Sequence, residues 1–270
     1  MTGIKLAARE EQPKTLIRVG NVTVGSDFVL IAGPCSVESE EQTLRIARAV
    51  KAAGANMLRG GAFKPRTSPY SFQGLGLKGL KILEKTREET GLPVVSEVLD
   101  PRDVAWMSDY VDVLQIGTRN MQNFSLLKEV GKSNRPVLLK RGMYSTIAEW
   151  LNCAEYILNE GNSQVILCER GIRTFETYSR NTLDLSAVPA VKELTHLPII
   201  VDPTHGTGKV SLIPAMSLAA VASGSDGLIV EVHDEPEHAL SDKDQALDPD
   251  AFTDMTRKVF RLRTFMEELA

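Results

Sequence analysis

The sequence predicts an α/β fold, a (β/α)8 TIM barrel preceded by a short N-terminal β-hairpin. Three observations carry this prediction. Eight short runs rich in Val, Ile and Leu occur in series, most of them nearly continuous apolar stretches that do not alternate, as strands buried on both faces read. A helical pattern follows each run. Each run also delivers a polar or ionisable residue at the same end. A prior of roughly 150 residues per domain would divide the 270 residues in two. One barrel needs about 250, so residues 1–270 are expected to form a single catalytic domain. An open doubly wound sheet of eight strands is the alternative.

The elements follow in order. TLIRVGNVTVGSD contains two short strand patterns around Gly20 and Asn21, a pair that suits a tight turn. Residues 1–27 are therefore assigned to a hairpin covering the bottom of the barrel or, equally well, to a loose N-terminal arm, and residues 28–270 to the barrel itself. The eight runs are FVLIAG from Phe28, ANMLRG from Ala55, PVVSEV from Pro93, DVLQIG from Asp112, PVLLKR from Pro136, QVILCER from Gln164, PIIVDP from Pro198 and GLIVEV from Gly227. A helix with apolar residues at helical spacing begins at Ser39 and stops at Gly54. Others begin near Gly76, Pro101, Asn123, Thr146, Ser186, Ser211 and Asp250. Met216 and Leu218 read as core packing, Trp106 and Trp150 as packing residues on helices, and Cys153 and Cys168 as buried thiols.

Barrel enzymes assemble their sites at the C-terminal ends of the strands. Cys35 follows the first run, and Arg59, Lys64, Arg66, Thr67 and Ser68 follow the second. The third carries Glu97, the fourth leads through Gln115 to Arg119, and the fifth ends in Lys140 and Arg141. Glu169 and Arg170 end the sixth. The seventh leads into a loop with Asp202 and His205, and the eighth ends in Glu231 and then His233.

Two chemistries stand out. Cys35, His205 and Glu231, with Asp242 from the following loop SDKDQAL, suit a divalent metal such as Mn, Fe, Co or Zn. Taken singly, Cys35 reads as a buried structural thiol and His205 equally well as a hydrogen-bonded loop residue; barrel closure, which sets the first, seventh and eighth strands side by side, favours the ligand reading. The second chemistry is anion binding by Arg59, Lys64, Arg66, Arg119, Lys140 and Arg170. Phosphate and carboxylate would relieve their mutual repulsion, as would salt bridges to Glu97, Glu169 and Asp202.

Composition narrows the classes. The formal net charge is −4, so no overall positive field draws the chain to nucleic acid or membrane. Aromatics are 6% and no basic stripe interleaves with them. Three cysteines argue against a disulfide framework. No apolar run reaches the roughly 18 residues of a membrane helix, and the N-terminus lacks a signal-peptide core. A cytoplasmic protein is expected.

In this order, GPCSVES, LRGGAFKPRTS, IGTRN, LLKRG, CERG, VDPTHGTG and IVEVH closely resemble the 3-deoxy-D-arabino-heptulosonate 7-phosphate (DAHP) synthases, above all the short type I-beta form. The resemblance runs from about Phe28 to Asp244. It implies condensation of phosphoenolpyruvate with D-erythrose 4-phosphate and water, with release of phosphate, as the first step of the shikimate pathway to aromatic amino acids. It also implies metal ligands at Cys35, His205, Glu231 and Asp242. Phosphoenolpyruvate would be bound by Arg59, Lys64, Arg119, Lys140 and Arg170. The erythrose 4-phosphate loop would be Lys64, Pro65, Arg66, Thr67 and Ser68. Lys64, Lys140, His205 and Glu97 are the candidate catalytic residues. A homotetramer is what the resemblance suggests.

The sister family, 3-deoxy-D-manno-octulosonate 8-phosphate synthase, uses arabinose 5-phosphate. Its loop resembles KANRSS where this chain has KPRTS, and it lacks the GTGK found here at 206–209; both departures favour the four-carbon aldehyde. A Schiff-base aldolase on Lys140 and a non-catalytic metal- or phosphosugar-binding regulator are the remaining readings. The 27 residues before the first barrel strand are too few for the regulatory domains some relatives carry, so a core not inhibited by aromatic amino acids on its own is expected.

Overall fold

The computed structural model describes residues 3–10, 12–65 and 68–269. The eight predicted runs form β3 (Val29–Gly33), β4 (Met57–Arg59), β5 (Val94–Glu97), β6 (Val113–Ile116), β7 (Val137–Lys140), β8 (Val165–Glu169), β9 (Ile199–Val201) and β10 (Gly227–Glu231). All pair in parallel, and β10 pairs with β3 to close the barrel. That closure excludes the open sheet. Before them, β1 (Ile17–Val19) and β2 (Val22–Val24) form the expected antiparallel hairpin around Gly20 and Asn21.

The helices begin where their caps predict. Ser39, Asn123 and Thr146 each accept a backbone N–H at the start of α1 (Glu40–Ala52), α4 (Phe124–Gly131) and α5 (Ile147–Asn159). Thr146 and Glu149 complete a reciprocal capping box. The others are α2 (Leu77–Thr90), α3 (Val104–Met107), α6 (Ala187–Leu194), α7 (Pro203–Thr207), α8 (Ile213–Ala222) and α9 (Pro249–Glu268). Of these α7 departs from expectation: the DPTHG segment, expected as a loop, is a short helix that carries His205. On α8 nearly every side chain is apolar, yet Met216 and Leu218 are only half-buried, so that helix contributes less to the core than its sequence suggests. No helix among the described residues is long and apolar enough to cross a membrane.

The strands divide their residues by the two-residue period of the pleat. Leu30, Leu58, Val94, Leu114, Leu139, Leu167, Val201 and Leu228 pack outward with the apolar faces of the helices, around the buried Trp150 and Phe252. The alternating positions form a second cluster: Val29, Ile31, Met57, Val95, Val113, Leu138, Ile166, Cys168, Ile200 and Ile229. This is the barrel interior. Ile17, Val19 and Val24 of the hairpin belong to the same cluster, so β1 and β2 plug the end where the strands begin.

One more inward step along each strand reaches residue 33 on β3, then 59, 97, 115, 140, 170, 202 and 231. After Gly33 these are Arg59, Glu97, Gln115, Lys140, Arg170, Asp202 and Glu231. The interior therefore changes from apolar to ionisable within a single layer, at the C-terminal ends of the strands.

Candidate active site

A cavity of about 290 Å³ opens above that layer. It is lined by Arg59, Lys64, Glu97, Arg119, Lys140, Arg170 and His205, with Pro65, Ser68 and Asp242. Sequence reasoning singled out all ten. Arg66 and Thr67, assigned to the acceptor loop, lie outside the described residues.

On one side the potential ligands converge. Ligand atoms of Cys35, Glu231 and Asp242 all lie within 4.8 Å of one another. The Cys35 thiol donates to Asp242 Oδ2 at 3.2 Å and lies 3.0 Å from Ser241 Oγ. Burial, and after it the charge of Glu231, pushes this thiol up to about 12. His205 stands outside the close trio, but its Nε2 is 3.2 Å from Glu231 Oε1. Asp202 sets that orientation. Its carboxylate caps α7, accepting His205 N–H at 2.9 Å, and holds His205 Nδ1 at 2.7 Å. A carboxylate behind a ring nitrogen is a common way to aim a histidine at a metal. Asp242 has φ +52, a left-handed conformation uncommon outside glycine, though more accessible to aspartate than to most residues. A thiol, an imidazole and two carboxylates are a chemically suitable donor set for a divalent transition metal.

The cations stand beside this cluster. They are less bare than their sequence positions imply. Arg59 pairs with Glu231 and also donates to Cys35 O at 3.3 Å. Lys140 Nζ lies 2.6 Å from Asp202 Oδ2. Lys64 Nζ donates to Cys35 O and Sγ, both at 3.0 Å. Burial alone would raise the two carboxyls. The charges of His205 and Lys140 outweigh it at Asp202, and those of His205 and Arg59 outweigh it at Glu231. Both are held below the usual carboxylate range. Capacity for an anion remains. Arg170 is 3% exposed and donates only to the carbonyls of Gly171 and His205 among the described residues. The buried Nε of Arg59 has no partner there either. Donors that have lost water and lack a carboxylate are receptors for phosphate or carboxylate oxygens.

Glu97 reaches the cavity because residue 117 is glycine. A Cβ on Gly117 would lie 1.9 Å from Glu97 Oε1. Glu97 accepts from Gln115 Nε2 at 3.4 Å.

Two strand-end residues belong elsewhere. Arg141 and Glu169, one residue out of phase with the cavity layer, bond each other at 2.9 Å behind the barrel wall, and Arg141 also holds Asp184 at 2.9 Å. His233, next in phase after Glu231 on the chain, is buried beside Gln42 and Glu38 rather than in the cavity. Several residues of the site were not singled out from the sequence: Ser71, Thr118 and Met143 also line the cavity, and three others make contacts that matter. Ser241 touches the Cys35 thiol. Gln245 donates to Glu231 Oε2 at 2.7 Å. Arg180 lines the cavity from the long segment after β8. Gln245 stands three residues beyond Asp242 in the SDKDQAL loop, so spacing was its available signal; Arg180 had none.

With this geometry in place, comparison with known proteins is decisive. The profile of the DAHP synthetase I family matches residues 6–268. A phospho-2-dehydro-3-deoxyheptonate aldolase from Thermotoga maritima is 52% identical over 260 residues, covering 96% of this chain and 77% of the relative. A crystal structure of the Thermotoga maritima phospho-2-dehydro-3-deoxyheptonate aldolase (DAHP synthase) superposes with TM-score 0.94 at 50% identity, over 97% of this chain and 77% of that one. A 2-dehydro-3-deoxyphosphooctonate aldolase from Syntrophotalea carbinolica is 36% identical over 250 residues, covering 85% of this chain and 89% of the relative. The chain belongs to the DAHP synthetase I family.

Proposed function

We propose that this chain condenses phosphoenolpyruvate with D-erythrose 4-phosphate and water to give DAHP and inorganic phosphate, the first step towards the aromatic amino acids. One observation supports this most directly: a close Cys35, Glu231 and Asp242 cluster adjoins a cavity lined by cations that retain unused donors. That juxtaposition suits one substrate carrying phosphate and carboxylate beside another carrying a carbonyl oxygen. The 52% identity to a heptonate aldolase, against 36% to an octonate aldolase, favours the four-carbon acceptor.

Cys35, His205, Glu231 and Asp242 would hold a divalent cation of the Mn, Fe, Co or Zn group. When bound there, such a cation supplies Lewis-acid polarisation of the aldehyde oxygen. Arg59, Lys64, Arg119, Lys140 and Arg170 hold the phosphate and carboxylate of phosphoenolpyruvate. They fix its C3 against the aldehyde carbon and lower the entropic part of the barrier. C3 attacks, forming the new carbon–carbon bond and leaving positive charge at C2. Glu97 is placed to stabilise that charge. Water adds at C2, and phosphate departs as the C2–O bond breaks. Lys140, coupled through Asp202 to His205, and Lys64, beside Cys35, are the groups placed to hand a proton to the new alkoxide or take one from the attacking water. The KPRTS segment, of which Pro65 and Ser68 line the cavity, takes the acceptor's phosphate. A single catalytic domain over residues 1–270, a cytoplasmic setting and a homotetramer complete the reading.

The test is a phosphate-release assay with phosphoenolpyruvate and either erythrose 4-phosphate or arabinose 5-phosphate, with and without chelator. Turnover is expected with the four-carbon sugar and loss of it with chelator. Turnover of arabinose 5-phosphate alone overturns the assignment, and full activity after chelation removes the metal from it. Cys35→Ser is expected to weaken metal affinity by at least roughly tenfold to a hundredfold, the scale seen even for groups that only support ligands.

A further inference from the structure

We propose that Arg180, which lines the same cavity as Pro65 and Ser68 of the KPRTS segment, binds the phosphate of the acceptor aldehyde together with that segment, and that the GTGK segment at 206–209 serves to place it there; this deepens, and rests on, the condensation reading above.

The segment 171–186 joins β8 to α6 without regular structure, apart from a bridge between Ile172 and Thr182. Its middle is nevertheless fixed. Arg180 N donates to Thr207 O at 2.8 Å, Asn181 N to Gly206 O at 3.2 Å and Asn181 Nδ2 to His205 O at 2.9 Å. Lys209 Nζ sits 3.4 Å from the centre of the Tyr178 ring, a cation–π contact. The irregular segment is thus laid along α7 and the residues that follow it. Gly208 makes the fit possible. Its φ is +66, and a Cβ there would fall 2.4 Å from Arg180 Cβ. The segment that separates this chain from the sister family at the sequence level therefore has a physical role, which is to support the backbone of Arg180.

The side chain so placed lines the cavity. Its Nη1 donates to Gln245 Oε1 at 2.8 Å and lies 3.6 Å from Asp242 Oδ1. Gln245 in turn donates to Glu231 Oε2. Arg180 therefore stands on the side of the cavity where the donor cluster lies. The acceptor's carbonyl oxygen belongs to that cluster, so the substrate within reach of Arg180 is the acceptor. Depth agrees. Arg59, Lys140 and Arg170 lie at the floor, each at most 5% exposed, whereas the Arg180 side chain is 38% exposed at the mouth. An acceptor with its carbonyl at the donor cluster and its phosphate towards solvent meets Arg180 at the phosphate. A planar guanidinium with two donor edges suits that dianion.

The decisive measurement is steady-state kinetics of the Mn2+-loaded full chain, with Mn2+ affinity titrated separately. R180A is expected to raise KM for erythrose 4-phosphate by roughly tenfold to a hundredfold, the worth of hydrogen bonds to a charged group. KM for phosphoenolpyruvate is expected to stay within about twofold of wild type, as for a residue that does not touch that substrate, and the Mn2+ titration separates any effect passed through Asp242 and Gln245. R180K should fall between. G208A, which keeps the guanidinium and shifts its backbone, should move KM the same way. An unchanged KM for the acceptor, an equal rise for phosphoenolpyruvate, or a loss of Mn2+ affinity that accounts for the whole effect overturns the assignment. An indifferent G208A overturns the supporting role of the glycine. Wild-type turnover alongside an indifferent R180A sinks the Arg180 placement alone, whereas no wild-type turnover of erythrose 4-phosphate sinks the condensation reading with it.

Discussion

The two ends of the barrel are lined by the same eight strands and are built for opposite purposes. At the end where the strands begin, Val29, Val95 and Val113 meet the plug formed by Ile17, Val19 and Val24, in one apolar cluster. At the other end the same inward phase presents Arg59, Glu97, Lys140, Arg170, Asp202 and Glu231 around an open cavity. Only the step along the pleat differs. The comparison separates residues that hold the barrel together from residues that act. Apolar burial at the plug stabilises by roughly 25 cal/mol per Å². Buried ion pairs at the cavity end give back in desolvation much of what they gain in attraction, so their presence there is better explained by chemistry than by stability.

Three measurements would break or sharpen that contrast. The largest effect belongs to the cavity end. Lys140→Met is expected to lower kcat by roughly 10²–10³, the range for loss of one preorganised charged donor, and to lower stability as well, because the buried Asp202 carboxylate loses its ammonium partner and keeps only His205. A large fall in denaturation midpoint with modest loss of kcat would erase the distinction. Next comes the plug. Ile17→Ala should cost about 2–5 kcal/mol of stability, as buried large-to-small changes do, while kcat and both KM values of the folded enzyme stay unchanged. Altered KM values would show that the plug shapes the site from the far end. The smallest effect lies outside the barrel, at Cys153 on α5. Burial raises its thiol from the ordinary 9.0 to about 11. Folding therefore opposes the thiolate. This contribution to stability is complete below pH 9 and is lost as pH rises from 9 towards 11. The native chain should leave Cys153 unalkylated at about pH 8, where the ordinary thiol is still mostly protonated, and expose it only on unfolding, which mass spectrometry of the modified peptide would read. Rapid native labelling would contradict the burial.

Much of this was legible in the residues. The short, β-branched apolar stretches within runs such as QVILCER and GLIVEV suit a strand covered on both sides, and Ser39, Asn123 and Thr146 mark helix starts because side-chain oxygens satisfy otherwise unpaired N–H groups. The candidate site followed from barrel logic, since strand ends are where the polar residues had to converge. What escaped were decisions of phase and contact. Arg141 and Glu169 flank Lys140 and Arg170 in the chain, but one residue along a strand turns a side chain to the other face, and they pair behind the wall. Arg180 lies in a segment with no period at all, and its backbone hydrogen bond runs to Thr207, far along the chain.

By itself, then, the sequence determined the order of strands and helices, the hairpin, and the set of ionisable groups gathered at one end, because local periodicity and capping are properties of neighbouring residues. Only the tertiary structure decided which of those groups meet. The pairing of Arg59 with Glu231, the aim of His205 set by Asp202, the clearance that Gly117 gives Glu97 and the seating of Arg180 over Gly208 all depend on distances that chain order does not set. Barrel closure sets them, since it brings β3 against β10 and turns eight separate strand ends into one ring.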